Sequence, residues 1–419
     1  MAFSEEIISF LDNGDIAKEI LDIKTFQGFL GTGTRELSIE NASRWRKFYV
    51  PDAILSHRLA PGVSILSDYV RNHIDIFSTD SWGVSRNKIN GHESYDRVQT
   101  VRKTGGVVIA VLGGSTIQGV GAGSPRFTIP SLLEKIIEER YGVKAVCLNH
   151  GVVGWSSSDQ LQLLLNGIEY RPDVCIFYDG WNCCWNFYST ALLSFYQDEG
   201  RKLDKPLGFR RGYSLRHLEH EDISDSALSL SLLLKRLVRL LGHSALRNFL
   251  RPLDLFYKCS GAFASKLIPI RPNDIYSKFR ELKVDSALCE VVLEIAAKEY
   301  YRVHRLASAV CREKGFSFAH FFQPQLVNSK KIYTLEEETL LHRESCMPNP
   351  EIFSLFPQFI RRADLTDAIK DLSSVFDNEK KQVFLDGGHL NGYGNYIVAD
   401  FIARELFSAG LLQPRADFS

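Results

Sequence analysis

Four side chains in this sequence have the types and the spacing for acyl transfer: Ser115 in "GGST", Asn182 in "DGWN", and Asp386 with His389 in "FLDGGHLNGYGN" (384–395). A serine hydroxyl is a weak nucleophile until a base takes its proton, and an imidazole such as His389 is the usual base. Asp386 can accept from the other ring nitrogen, which fixes the tautomer and stabilises the imidazolium. The oxyanion formed on attack needs donors already in place, and the backbone N–H groups of Ser115 and Gly154 with the side-chain amide of Asn182 can supply them. Each residue also has a plainer use. Ser115 could cap the helix that follows it, Asn182 could sit in a turn, and Asp386 could cap the last helix or its own loop. Gly151 reads as a turn glycine.

These residues do chemistry together only if the fold carries them to one place. Apolar runs at 106–114, 144–151, 173–180 and 316–324, with "QVFLD" at 382–386, read as strands. Helical periods at 129–142, 156–168, 288–315 and 396–410 alternate with them. Such alternation implies an open parallel sheet with right-handed crossovers, and in these sheets ligands bind outside the carboxyl ends of the strands. Ser115, Gly154, Asn182 and the Asp386/His389 pair each come just after one of these strands. His150 and Gln323, at the ends of the second and fourth, are further pocket candidates, whereas His320 inside the fourth reads as a core histidine. The expected fold is therefore α/β, a three-layer α/β/α flavodoxin-like parallel sheet. Its core is drawn from 105–184 and 316–412, with a mostly helical insertion at 185–315 that ends in a core helix and serves as a lid. An N-terminal appendage of helical and extended segments occupies 1–104.

Composition excludes several classes. The 50 Lys and Arg balance 50 Asp and Glu over 419 residues, so no global field steers the chain to nucleic acid. "GGSTIQGVGAG" is no P-loop, because Val120 stands where Lys is needed, and a dinucleotide fingerprint started at Gly119 or Gly121 puts its third glycine on Ser124 or Arg126. "HLEHED" (217–222) lacks further ligands at metal spacing and reads as a solvated face, so no metal is expected. The eight cysteines are scattered, and Cys183-Cys184 read as reduced, packed thiols. The acidic N-terminus does not fit a secretory signal and no apolar run spans a bilayer, which gives a cytoplasmic expectation. In 226–250, Leu230, Leu233, Leu234, Leu237, Leu240 and Leu241 form one helical face with Lys235, Arg236, Arg239 and Arg247 elsewhere. A core-facing helix of the insertion explains that pattern, and peripheral membrane contact is the alternative. No sequence feature fixes an oligomeric state.

Taken in order, "GGST", the glycine of "NHGVVGWSS", the asparagine of "DGWN" and D-x-x-H before the final helix resemble the four blocks of the SGNH (GDSL-type) hydrolases. The likeness covers about 105–182 and 316–408. It implies Ser115 as nucleophile, Gly154 and Asn182 in the oxyanion hole, His389 as base and Asp386 as its partner. It also implies a serine esterase or acyltransferase that needs no cofactor and acts on an O-acyl group, such as acetyl, of a carbohydrate or another small hydroxylated compound. The segments "YVPDAILSHRLAPG" and "WGVSRN" are similar to those of members found with bacterial cell-surface carbohydrate genes. Two positions depart from the family pattern: Gly114 and Cys183 stand where Asp is usual, and each removes a polar group that would tie the loops together. A non-catalytic protein binding a glycan or a lipid-linked intermediate is the alternative those departures raise.

Overall fold

Val107–Gly113, strand β1, is buried at all seven positions. A strand so uniformly apolar has no face for water and must lie between two layers. The computed structural model describes residues 49–52, 56–66, 75–87, 93–166, 168, 170–188, 286–345, 351–362 and 369–413. Within them β1 pairs with β2 (Ala145–Gly151) on one side and β3 (Val174–Asp179) on the other. Beyond β3 come β4 (Ser317–Phe322) and the two-residue β5 (Lys370–Asp371). Every pairing is parallel, and the order β2-β1-β3-β4-β5 is that of flavodoxin-like sheets. The fold class read from the sequence is the one observed.

Side chains alternate across β1, so its residues feed two cores. Val107, Ile109 and Val111 join the cluster that contains α3 (Ile129–Tyr141) and α8 (Gly392–Ser408). Val108, with Val146 and Leu148 of β2, packs against Val98 and Val101 of α1 (Ser94–Lys103). On that second face also lie α4 (Ser157–Asn166) and α5 (Ser286–Glu313), which pack on each other and on the sheet. Helix α3 starts where the Thr128 hydroxyl accepts the Ser131 N–H and stops at Gly142 in the left-handed region, φ 65°.

The N-terminal segments form two antiparallel strand pairs, Tyr49–Asp52 with Ser56–Leu59 and Ser64–Leu66 with Asp75–Ser78. From there the chain runs along the outer edge of β2. Ser85 N–H donates to Asn149 O, and the Asn87 amide donates to Cys147 O. From α3, Glu134 accepts the Cys147 N–H at 3.0 Å. Residues 1–48, the amphipathic stretch 226–250 and "HLEHED" lie outside the described residues. Among the described residues no helix is long and apolar enough to cross a membrane.

The expected fifth strand is corrected. "QVFLD" does not enter the sheet, whose fifth position belongs to Lys370–Asp371. Its Val383 and Phe384 amides donate instead to the Glu337 carboxylate, and Phe384 forms an isolated antiparallel bridge with Leu390. An apolar β-type run predicts extended backbone, and a side-chain acceptor has here replaced the strand neighbour. The final helix starts at Gly392, earlier than the expected 396, because the Asn391 side chain caps it by accepting the Gly394 N–H.

Gly151 is more than a turn residue. A Cβ there would lie 2.0 Å from the Gln118 backbone nitrogen, so the end of β2 must be bare for α2 (Ser115–Gln118) to sit against it. Gly151→Ala should lower unfolding stability by about 1–3 kcal/mol, as overpacking does. Urea denaturation of the two proteins checks this, and an unchanged midpoint would refute the close approach.

Candidate active site

Strand β1 ends in Gly113, and the chain turns at once into α2 with Ser115 as its first residue. At the other end of the sequence, Asp386 and His389 sit at the tip of a narrow loop. That loop is closed by Leu385 N–H donating to His389 O at 2.9 Å and Asn391 N–H to Val383 O at 2.9 Å. Asp386 shapes the tip by accepting the backbone N–H groups of Gly388 and His389 on Oδ1, at 2.9 and 2.7 Å. A carboxylate that accepts its own backbone a few residues on makes a tight turn that a longer side chain could not.

The other oxygen, Asp386 Oδ2, is 2.7 Å from His389 Nδ1, and His389 Nε2 is 2.7 Å from Ser115 Oγ. The structure thus joins Ser115, His389 and Asp386 in one hydrogen-bonded line. Burial opposes ionisation of Asp386, but the His389 ring and the two backbone amides outweigh it and hold the carboxyl at about 2. Burial likewise opposes charging His389, and the facing Asp386 carboxylate more than offsets it, so the imidazole lies above its ordinary 6.5. With Asp386 ionised, Nδ1 carries the proton and Nε2 presents its lone pair to the Ser115 O–H.

The other expected donors sit beside this line. Asn182 lies in the helical stretch 181–188 and gives one amide hydrogen to Trp155 O at 3.0 Å. A Cβ on Gly114 would meet Asn182 Nδ2 at 2.7 Å and Trp155 O at 3.1 Å. The asparagine amide therefore rests against the residue before Ser115 and the residue after Gly154. Gly154 has φ 82°, and neither its N–H nor that of Ser115 finds an acceptor among the described residues. The loop carrying Gly154 is fixed from α2, where the buried Gln118 side chain accepts the Val153 N–H at 2.8 Å.

Of the two further pocket candidates, Gln323 reaches the loop: its amide donates to Gly388 O at 3.3 Å while its backbone N–H donates to Asp179 O at 2.7 Å. His150 faces the α1 side of the sheet by strand alternation and bonds with the Tyr170 hydroxyl; burial pulls its ring down to about 4 and keeps it neutral. His320 is buried in the core between Tyr300, His304 and Asp179. Burial also pushes the Cys183 and Cys184 thiols well up, so both stay protonated. Among the described residues no group of His, Cys, Asp and Glu could hold a metal ion.

Sequence reasoning did not single out Gln118, Trp181 or Glu337. Trp181 stacks on Phe353 of α7 (Glu351–Arg362) at a centroid distance of 4.1 Å, and a Cβ on Gly388 would meet its ring at 3.1 Å. The usable signals were slight: a polar residue three places past the serine, and an aromatic before the asparagine.

No family model matches the chain, and no curated protein matches it. Among solved structures it is similar to the crystal structure of an acetyl xylan esterase, AlAXEase, with 12% identity and a TM-score of 0.34 over 72% of this chain and 99% of that one. At that identity and score the likeness carries no argument, and the fold class rests on the strand order above.

Since Asp386 raises the His389 titration, Asp386→Asn should move it down, below its wild-type position and toward 6.5 or lower. A titration of the histidine ring signals by NMR, with His389→Ala to assign the resonance, checks this. An unshifted midpoint in Asp386→Asn would remove the carboxylate as the cause.

Proposed function

We propose that the chain is a serine hydrolase of the SGNH type, an esterase or O-acyltransferase that works through an acyl-enzyme on Ser115. The observation that carries the reading is the unbroken line from Ser115 Oγ through His389 to Asp386, with 2.7 Å at each step. As Oγ attacks the ester carbonyl, its proton passes to His389 Nε2 and the carbonyl π pair moves onto oxygen as the oxyanion. Asp386 stays ionised and balances the imidazolium. The Ser115 and Gly154 amides and the Asn182 side chain stabilise the oxyanion, and its collapse expels the alkoxide, which takes the proton from Nε2. Water or an acceptor hydroxyl then repeats the sequence on the acyl-enzyme, giving hydrolysis or transfer.

The substrate class rests on the family resemblance: an O-acyl group, such as acetyl, on a carbohydrate or another small hydroxylated compound. The Gly114 departure fits turnover. The glycine leaves the space that the Asn182 amide fills, so the polar contact that an aspartate would make there is replaced by a donor lying against the nucleophile's own turn.

A fluorophosphonate probe should label Ser115 in the wild type and neither Ser115→Ala nor His389→Ala, read by peptide mass spectrometry. The base must be neutral to take the proton, so the labelling rate should rise with pH through the raised His389 titration. Folded wild-type protein that takes no label would turn the reading toward a binding protein. Asn182→Ala should lower kcat on an aryl acetate by about 10²–10³, equivalent to the loss of one oxyanion donor. Gly114→Ala should also lower kcat, yet add little in the Asn182→Ala background, because it acts by displacing that amide. Additive losses in this double-mutant cycle would break the link between the two residues.

A further inference from the structure

The loop that carries Asp386 and His389 is gripped from outside by one stretch of chain, the segment leaving β4. Gln323 donates to Gly388 O at 3.3 Å, and Leu326 N–H donates to Gly387 O at 3.0 Å. At the root of the loop, Glu337 Oε1 accepts the Val383 and Phe384 N–H groups at 3.0 and 3.1 Å. Glu337 Oε2 accepts from Lys331 Nζ and from the Thr334 N–H at 3.0 Å. Lys331 Nζ gives a second hydrogen to Ile332 O at 3.0 Å and lies 5.6 Å from the Tyr333 ring centroid. Both side chains of the ion pair are 0% exposed.

A simpler role for Glu337 exists. Thr334 and Glu337 form a capping box at the start of α6 (Leu335–Ser345), with Glu337 N–H donating to the Thr334 hydroxyl at 3.3 Å. That explains Oε2 and leaves Oε1 unexplained. It also does not require burial, since capping boxes work at exposed helix ends. Stability does not explain the pair either, because a well-packed apolar pair commonly holds a fold as well as a buried ion pair does. What the pair supplies, and an apolar pair cannot, is an acceptor for two adjacent amides that have no strand partner. Those amides lie on one arm of the loop; the bridge from Phe384 to Leu390 carries the constraint to the other arm, next to His389.

We propose that Glu337, with Lys331 as its buried counter-ion, is a positioning residue that fixes the root of the 383–391 loop and so sets His389 Nε2 on Ser115 Oγ. The inference rests on the reading of Ser115 as nucleophile. Glu337 touches no reacting atom and acts through Val383 and Phe384.

Two double variants separate the acceptor from the charges. Lys331→Met/Glu337→Gln removes both charges and keeps an oxygen for the amides, whereas Lys331→Met/Glu337→Leu removes the oxygen as well. The readouts are the rate of fluorophosphonate labelling at Ser115 and the NMR titration of His389, with the melting temperature as a control for folding. The glutamine variant should label near the wild-type rate with the His389 midpoint unmoved. The leucine variant should label about 10²-fold more slowly, as for a base displaced by around an ångström, and its His389 midpoint should fall toward 6.5 as the bond to Asp386 loosens. Equal labelling and equal midpoints in both variants would overturn the proposal, as would a loss in the glutamine variant that matches the leucine one. If the leucine variant does not fold, Gln323→Leu tests the same grip at Gly388 O: a slower rate and a lowered midpoint support it, and wild-type values overturn it. A wild type that takes no label at Ser115 would overturn the nucleophile reading, and the His389 titrations would then decide the positioning role alone.

Discussion

Parallel pairing is the constraint from which the site follows. Because β2, β1, β3 and β4 run the same way in register, the residues that leave their carboxyl ends share one rim, whatever their separation in sequence. Ser115 leaves β1 at that rim, and His389, 274 positions on and carried by a loop outside the sheet, is brought to within 2.7 Å of it where the segment leaving β4 grips that loop. Such closeness needs small residues where one turn passes another. Gly151 gives way to the backbone of α2, Gly114 to the Asn182 amide, and Gly388 to the Trp181 ring. Each of these glycines serves space more than flexibility.

Electrostatics then sharpens what the sheet brings together. Two carboxylates do related work at different depths. Glu337, fully buried, meets a lysine and two backbone amides at the loop's root, while Asp386, partly open, meets the imidazole and two amides at its tip. In both cases backbone N–H groups donate to the carboxylate, which in turn fixes backbone that no strand partner holds, and at Asp386 they also help keep the carboxyl ionised.

The central strands were legible because they are buried on both sides, and helix α3 between the first two has a clear cap and stop. Val107–Gly113 and Val174–Asp179 are apolar almost throughout, and the Thr128 cap and Gly142 stop bracket α3. The residues of the Ser115–His389–Asp386 line were legible for a related reason: each follows a recognisable strand or stands in a glycine-marked turn. "QVFLD" misled because strand propensity reports fitness for extended backbone and says nothing of what accepts its amides, here Glu337 from 46 residues away. His150 was a candidate for either the pocket or plain surface contact, and strand alternation gives its ring to the α1 side, because position along a strand alone does not reveal which face a terminal residue takes. Gln118 and Glu337 were invisible for another reason. Their roles depend on backbone groups of distant segments, which leave no pattern in local sequence.

The treatment of the outer edge of β2 has a consequence of its own. An edge strand in an open sheet offers a ladder of unpaired amides and carbonyls to any neighbouring chain. Here Cys147 N–H is taken by Glu134, Cys147 O by Asn87, Asn149 O by Ser85, and Gly151 N–H by the side chain of Asn149. Among the described residues the border is sealed mainly by side chains at irregular intervals, with one backbone bridge between Ser85 and Asn149, a pattern poorly suited to strand addition. The segment from Thr79 to Asn87 supplies the donors to both carbonyls, through Asn87 and Ser85, and so occupies a margin that an open sheet would otherwise leave bare.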